Sequence, residues 1–153
     1  MTSRLAAGVL VLLTLAVPLA GCAHQMSDED VNDVREIACS LQNSYAQSAR
    51  LAIDELNPGK FWVIGPKVIE FSETLAISGR MGAVDTAYAD FAGMFPEKLD
   101  ASRGVTEADV DTFNGHIAAI ATACEGNPNY EAPLQLEYPT DPEDQGYLQR
   151  LQP

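Results

Sequence analysis

An apolar stripe with helical spacing runs through residues 31–56, and it constrains the fold more than any other feature of the sequence. Its members recur three and four residues apart: Val31, Val34, Ala38, Leu41, Tyr45, Ala49, Ala52 and Leu56. This spacing places them on one face of an α-helix of about seven turns. Ser27 is a favourable N-cap, and Asn57-Pro58-Gly59 ends the segment. The sequence therefore predicts one long amphipathic helix.

Three further segments repeat the same apolar spacing. They cover residues 66–78, 83–95 and 106–124, and the last begins with T-E-A-D, which resembles a capping box. Short connections join the four segments, as in bundles whose successive helices run in opposite directions. We therefore predict an all-α fold, an up-and-down four-helix bundle, over residues 27–126.

The apolar run K-F-W-V-I at residues 60–64 has two interpretations as secondary structure, a short buried strand or a turn of helix. Trp62 is the single tryptophan of the chain, and it lies between Gly59 and Gly65. Aromatic side chains of this kind often anchor a binding partner, which makes Phe61 and Trp62 candidate partner contacts. The alternative is that they close one end of the helical core.

The periodicity disappears after residue 126. Residues 127–153 contain five prolines and five acidic residues, a composition typical of extended or disordered chain. Alternating apolar side chains in 132–138 could lie along the bundle surface. We predict an extended or partly disordered, Pro-rich acidic tail.

The N-terminal segment has the pattern of an export signal. Arg4 precedes an apolar run over residues 5–19, which is shorter than the roughly 20 residues of a membrane-spanning helix. The sequence L-A-G-C at residues 19–22 resembles the lipobox of bacterial lipoproteins. The resemblance implies a signal peptide over residues 1–21 and a diacylglyceryl group on Cys22, with palmitate-type chains and a short linker over 22–26.

A lipoprotein of this type lies on the extracytoplasmic face of the cell membrane, or at the outer membrane in a diderm host. The chain is rich in alanine and has six arginines to three lysines. In this respect it is similar to small lipoproteins of high-GC actinobacteria. The partner implied by the resemblance is the membrane, through the lipid on Cys22.

The two other cysteines form an even pair. Since Cys22 is assigned to lipid, Cys39 and Cys124 remain in an oxidising compartment, where pairing is expected. In the predicted bundle the first and fourth helices are antiparallel, which brings the early part of one beside the late part of the other. We predict a Cys39–Cys124 disulfide.

Charge and motifs exclude several classes of function. The formal net charge is −13, and it becomes −14 once Arg4 leaves with the leader, so nucleic acid and anionic headgroups would be repelled. The sequence contains none of the usual nucleophile, zinc-protease or nucleotide-binding motifs. His24 is beside the lipid anchor, and His116 lies at the edge of a packed stripe, where a structural role is more common. We expect no enzyme activity, no cofactor and no bound metal.

These observations favour an interaction role. We expect a membrane-anchored lipoprotein that binds a partner, such as an envelope protein, or associates with the envelope. Exclusion of related phages, as by some prophage-encoded lipoproteins, would be one form of this role. The alternative is a helical bundle that binds a small ligand or a cation.

The lipobox predicts a specific mass change. Protein extracted from membranes should have the mass of residues 22–153 plus the lipid, because the cleaved bond lies between Gly21 and the acylated Cys22. A Cys22→Ala variant should lose both processing and lipid in intact-mass spectrometry. A secreted, unmodified chain with a different first residue would contradict the lipoprotein interpretation.

Overall fold

The computed structural model describes residues 27–96, 98, 103–128 and 130–150. Of these residues 69% are helical and none is in a strand, which confirms the all-α class for the described part of the chain. The predicted signal peptide (1–21), Cys22 and the linker lie outside the described residues.

Six helices follow one another in the described part of the chain, and the first five pack together. They are α1 (Asp28–Asp54), α2 (Pro58–Trp62), α3 (Gly65–Ser78), α4 (Ala83–Gly93), α5 (Glu107–Ala123) and α6 (Pro142–Gln149).

Helix α1 forms as the apolar stripe predicts. Ser27 and Asp30 make a reciprocal capping box, with Ser27 Oγ accepting from Asp30 N at 3.1 Å and Asp30 accepting from Ser27 N at 2.9 Å. The acidic first turn also stabilises the positive end of the helix dipole. Much of the buried face consists of small side chains, including Ala38, Ala49 and Ala52. Small residues allow neighbouring elements to approach the helix closely.

The K-F-W-V-I segment is helical over residues 60–62, and Val63 and Ile64 form the turn that follows. Pro58 occupies the first turn of α2, where its missing N–H costs no hydrogen bond, and the Asn57 side chain accepts from Lys60 N at 3.1 Å. The break after α1 is therefore also the start of the next helix. The structure thus contains a fifth packed helix in addition to the four predicted.

An aromatic cluster fills the centre of the core. Phe91 of α4 lies edge-on to Phe113 of α5 at 5.2 Å between ring centroids, and to Tyr45 of α1 at 6.1 Å. Phe61 of α2 extends the cluster, 5.4 Å from Phe113. Such edge-to-face pairs add to the stabilisation from apolar burial. One cluster therefore joins four helices.

Helix α1 and the helix that follows it, α2, contact opposite ends of α5. At one end the Sγ atoms of Cys39 and Cys124 are 2.06 Å apart and the Cα atoms 5.6 Å apart, which is consistent with the predicted disulfide. At the other end Trp62 Nε1 donates to the carbonyl of Gly104, just before α5, at 3.1 Å. Helices α1 and α5 therefore run in opposite directions.

Helix α3 also runs opposite to α1, but the two pack less closely. Arg80, just after α3, forms an ion pair with Asp28 at the start of α1, so the end of α3 lies beside the beginning of α1. The closely packed pairs are α3 with α4, α4 with α5, and α1 with both α2 and α5. A groove remains beside α1, with Lys60 of α2, the α2–α3 turn and Lys67 at the start of α3 on its other side; we call it the groove between α1 and α3.

The C-terminal segment differs from the prediction of an extended tail. Residues 142–149 form α6, because Asp141 accepts from Glu143 N at 2.8 Å and Pro142 suits the first helical position. Leu148 is fully buried, and its carbonyl accepts from Val105 N at 2.8 Å. The prediction of an extended chain is wrong for these residues, since the composition did not reveal that Leu148 belongs to the core.

The residues before α6 lack regular secondary structure, and they lie against the helices. The Asn43 side chain accepts from Leu134 N at 3.0 Å, and the Asn114 side chain accepts from Leu136 N at 2.8 Å. Asn114 also donates to the carbonyl of Leu136 at 2.9 Å. These side chains replace the backbone partners that an extended segment lacks.

Loss of the Cys39–Cys124 link should destabilise the fold. The Cys39→Ala, Cys124→Ala double variant should lose about 4 kcal/mol of unfolding free energy, because the link closes a long loop in the unfolded chain. Urea denaturation measures this loss. Addition of a thiol reductant should destabilise the parent protein and leave the stability of the double variant unchanged. Two alkylatable thiols in the exported protein would contradict the link.

Candidate functional site

The structure places the two predicted partner contacts inside the core. The exposed fraction is 0% for Phe61 and 1% for Trp62. The Trp62 ring is edge-on to Phe61 at 5.1 Å and to Phe95 at 6.2 Å, and the Arg103 guanidinium lies 3.9 Å from the ring centroid. Neither aromatic side chain presents a surface to a partner. This burial fits the alternative interpretation, in which both residues close one end of the core.

The next residue, Val63, is exposed and belongs to the groove between α1 and α3. The groove has a volume of about 500 Å³. Its apolar lining is Leu41, Tyr45, Leu51, Ala52, Val63 and Ile64. Leu51 is 60% exposed and Val63 is 46% exposed, so two large apolar side chains of the lining are open to solvent. An exposed apolar patch of this kind often marks a binding site.

The groove exists because α2 separates α1 from α3 in the chain. Helix α2 packs against the end of α1, and the chain then turns so that α3 packs against α4. On α1, Ser44 and Ser48 line the floor, and Ser48 Oγ donates to the carbonyl of Ser44 at 2.9 Å. Because this hydroxyl already has a partner within the helix, it does not oppose contact with an apolar ligand.

One end of the groove carries positive charge. Lys60 and Lys67 both line it, and Glu55, which also lines it, forms an ion pair with Lys60. Lys67 is exposed and forms no ion pair with another residue in the described ranges. These three side chains carry a net charge of +1 in a chain whose net charge is −13.

The middle of the groove has a different electrostatic character. Burial, and secondarily the negative charge of Glu70, raises the pKa of the Tyr45 hydroxyl. A carboxylate in this region would be repelled by Glu70 and would lose hydration. The arrangement therefore favours an anionic group at the Lys60 and Lys67 end, with apolar atoms towards Leu41.

The other depressions on the described surface are more polar. The one near the end of α5 measures about 320 Å³, and charged and amide side chains including Arg35, Glu36 and Glu125 line it. It offers no apolar floor comparable to that of the α1–α3 groove.

Asp109 and His116, both on α5, make separate local contacts. Asp109 caps α5 by accepting from Thr106 N at 2.9 Å, and it also forms an ion pair with Arg103 at 2.9 Å. His116 is half-buried, with its ring centroid 5.7 Å from that of Phe91. Burial lowers the pKa of His116, and the negative charge of Asp90 opposes this shift in part.

The described residues contain neither a metal-binding cluster nor a helix suited to span a membrane. Within those ranges, no group of three or more His, Cys, Asp or Glu side chains is placed to hold a metal ion. No helix in the part of the chain that the structure describes is both long enough and apolar enough to cross a bilayer.

Comparison of the chain with protein-family models, curated proteins and solved structures finds no match.

The sequence did not reveal the groove. The residues that it indicated as partner contacts, Phe61 and Trp62, are buried neighbours of the groove lining. The available signal was Leu51, a large apolar side chain that lies outside the predicted stripe of α1. Val63 gave no separate signal, because periodicity cannot tell which residues of a short apolar run face outward.

The lowered pKa of His116 predicts a pH-dependent contribution to stability. Because the folded state holds the proton more weakly, the unfolded chain binds more protons, and stability decreases as the pH falls below about 6.5. Urea unfolding at pH 7.5 and pH 5.5 should show a smaller pH-dependent loss for His116→Gln than for the parent. An equal loss in the two proteins would exclude the predicted contribution of His116.

Proposed function

We propose that the protein is a non-catalytic binding module, anchored by lipid to the extracytoplasmic face of the membrane. The groove between α1 and α3 is its binding surface. The observation that carries this proposal is the apolar lining of the groove, in which Leu51 and Val63 remain exposed beside a positively charged end.

The position of the helical domain supports an anchored role. Helix α1 begins at Asp28, six residues after Cys22. An extended chain spans at most about 3.5 Å per residue, so a lipid on Cys22 would keep the start of α1 within roughly 20 Å of its attachment point. The domain would then bind molecules at the membrane surface or embedded near it.

The helix directions support a more specific architecture for this module. We assign α1, α3, α4 and α5 to an up-and-down four-helix bundle, with α2 as a connector and α6 as an added C-terminal helix. In this arrangement three of the four seams between neighbouring helices are closely packed. The fourth seam, between α1 and α3, is the groove.

The proposal predicts site-specific crosslinking in intact cells. The photoreactive amino acid benzoylphenylalanine at Leu51 should give a discrete crosslinked product, because a bound molecule would contact this side chain. The matched control is Ile77, an apolar residue that is 87% exposed on α3 and does not line the groove. Gel electrophoresis and mass spectrometry of the affinity-purified protein would identify the product.

Two results would overturn the groove as the binding surface. One is the absence of any product at Leu51 under conditions in which the photoreactive group is shown to be intact. The other is the same set of products at Leu51 and Ile77, since that pattern reports general proximity to the membrane.

A further inference from the structure

We propose that the groove binds a single-chain fatty acid, with its carboxylate between Lys60 and Lys67 and its alkyl chain directed towards Leu41. This inference rests on the proposed function, since it assigns a class of ligand to the same groove.

The dimensions of the groove favour one alkyl chain. A volume of about 500 Å³ lies within the roughly 300–1,000 Å³ range of small-molecule sites. The lining on α1 extends from Leu41 to Glu55, about 21 Å at a helical rise of 1.5 Å per residue. Half of a bilayer's hydrocarbon core, the space filled by one acyl chain, is about 15 Å thick. One chain and its headgroup therefore fit along the groove.

A protein partner would need a larger surface. Stable protein interfaces bury about 800 Å² on each side, usually over 20–30 residues. The groove is a single seam lined by eleven residues. The geometry therefore favours a small amphiphile over a partner helix.

The charge at the groove favours a ligand with one negative charge. Lys60, Lys67 and Glu55 together carry +1, which a single carboxylate neutralises and a doubly charged phosphate exceeds. Lys67 is the available cation, because Lys60 is already paired with Glu55. Glu70 acts on Tyr45 farther along the groove and disfavours the opposite orientation of the ligand.

The apolar contacts supply the remaining recognition. Leu51 from α1 and Val63 from the α2–α3 turn would each lose exposed surface against an alkyl chain, and this burial is favourable by about 25 cal/mol per Å². Tyr45 and Ala52 form part of the buried floor below them. A ligand thus covers the large apolar side chains that the packing of α1 and α3 leaves exposed.

The test uses residues 22–153 with Cys22→Ser, exported behind the cleavable signal peptide of a secreted protein because a substituted Cys22 is not processed. The Cys39–Cys124 pair stays intact, and the protein's own lipid cannot enter the groove. Fluorescence titration with a fluorescent fatty acid, followed by displacement with palmitic acid, measures the Kd. The parent protein should bind palmitate saturably with one site. Hexadecanol, which has the same chain and no charge, provides the comparison for the carboxylate.

Two variants test the two ends of the site. Leu51→Glu should weaken palmitate binding by about tenfold or more, because it places a carboxylate against the alkyl chain. Lys67→Gln should weaken palmitate binding by roughly two- to fivefold, as for a solvent-exposed ion pair, and should leave hexadecanol binding unchanged. Circular dichroism checks that each variant remains folded.

Each variant has a matched control outside the groove. Ile77→Glu makes the same apolar-to-acid change on α3, and Arg50→Gln removes a positive charge from α1. Arg50 is paired with Asp54 and does not line the groove. Both controls should retain the palmitate affinity of the parent protein.

Several results would overturn the fatty-acid assignment. They are no saturable palmitate binding by the parent, equal effects of Leu51→Glu and Ile77→Glu, or equal loss of palmitate and hexadecanol with Lys67→Gln. Binding only to phosphatidylglycerol vesicles would instead identify a membrane surface as the ligand. Specific crosslinking at Leu51 to a protein, with no palmitate binding, would retain the proposed function and reject this ligand.

Discussion

The pairing of α1 with α5 is the constraint on which the rest of the structure depends. The link between Cys39 and Cys124 joins α1 to the end of α5, and the hydrogen bond from Trp62 of α2 to Gly104 holds the chain just before α5. Gly104 allows this arrangement because the chain is crowded there: a Cβ at this position would lie 2.6 Å from the carbonyl oxygen of Gln149. Helix α6 and the start of α5 therefore close the same end of the core.

The groove is a consequence of that pairing. Once α1 is committed to α2 and α5, its small buried side chains face the aromatic cluster around Phe91, and α4 completes the packing. Helix α3 then packs on α4 and leaves a seam beside α1. Leu51 and Val63 remain exposed there, so this apolar surface follows from the packing order of the helices.

Charged side chains make one end of the groove electrostatically different from the other, which the composition alone does not show. The chain is strongly acidic, and its acidic residues include those that stabilise the first turns of α1 and α5. Two of its three lysines, however, line one end of the groove. Repulsion by the overall negative charge applies to anionic partners with extended surfaces, such as nucleic acid. It does not apply to a single carboxylate beside Lys67, because screening limits the influence of distant charges.

The sequence by itself determined the helical class, the start of α1 at Ser27, the capping of α5 at Thr106 and the pair of cysteines suited to linkage. The helix features depend on residues close together in the sequence, and the cysteine pair follows from the even number of cysteines left once Cys22 is assigned to lipid. Only the tertiary structure decided that Trp62 is buried while Val63 is exposed, that Leu148 anchors a C-terminal helix, and that α1 and α3 stay apart. Each of these depends on which neighbours remove water from a side chain, and residues far apart in the sequence provide those neighbours.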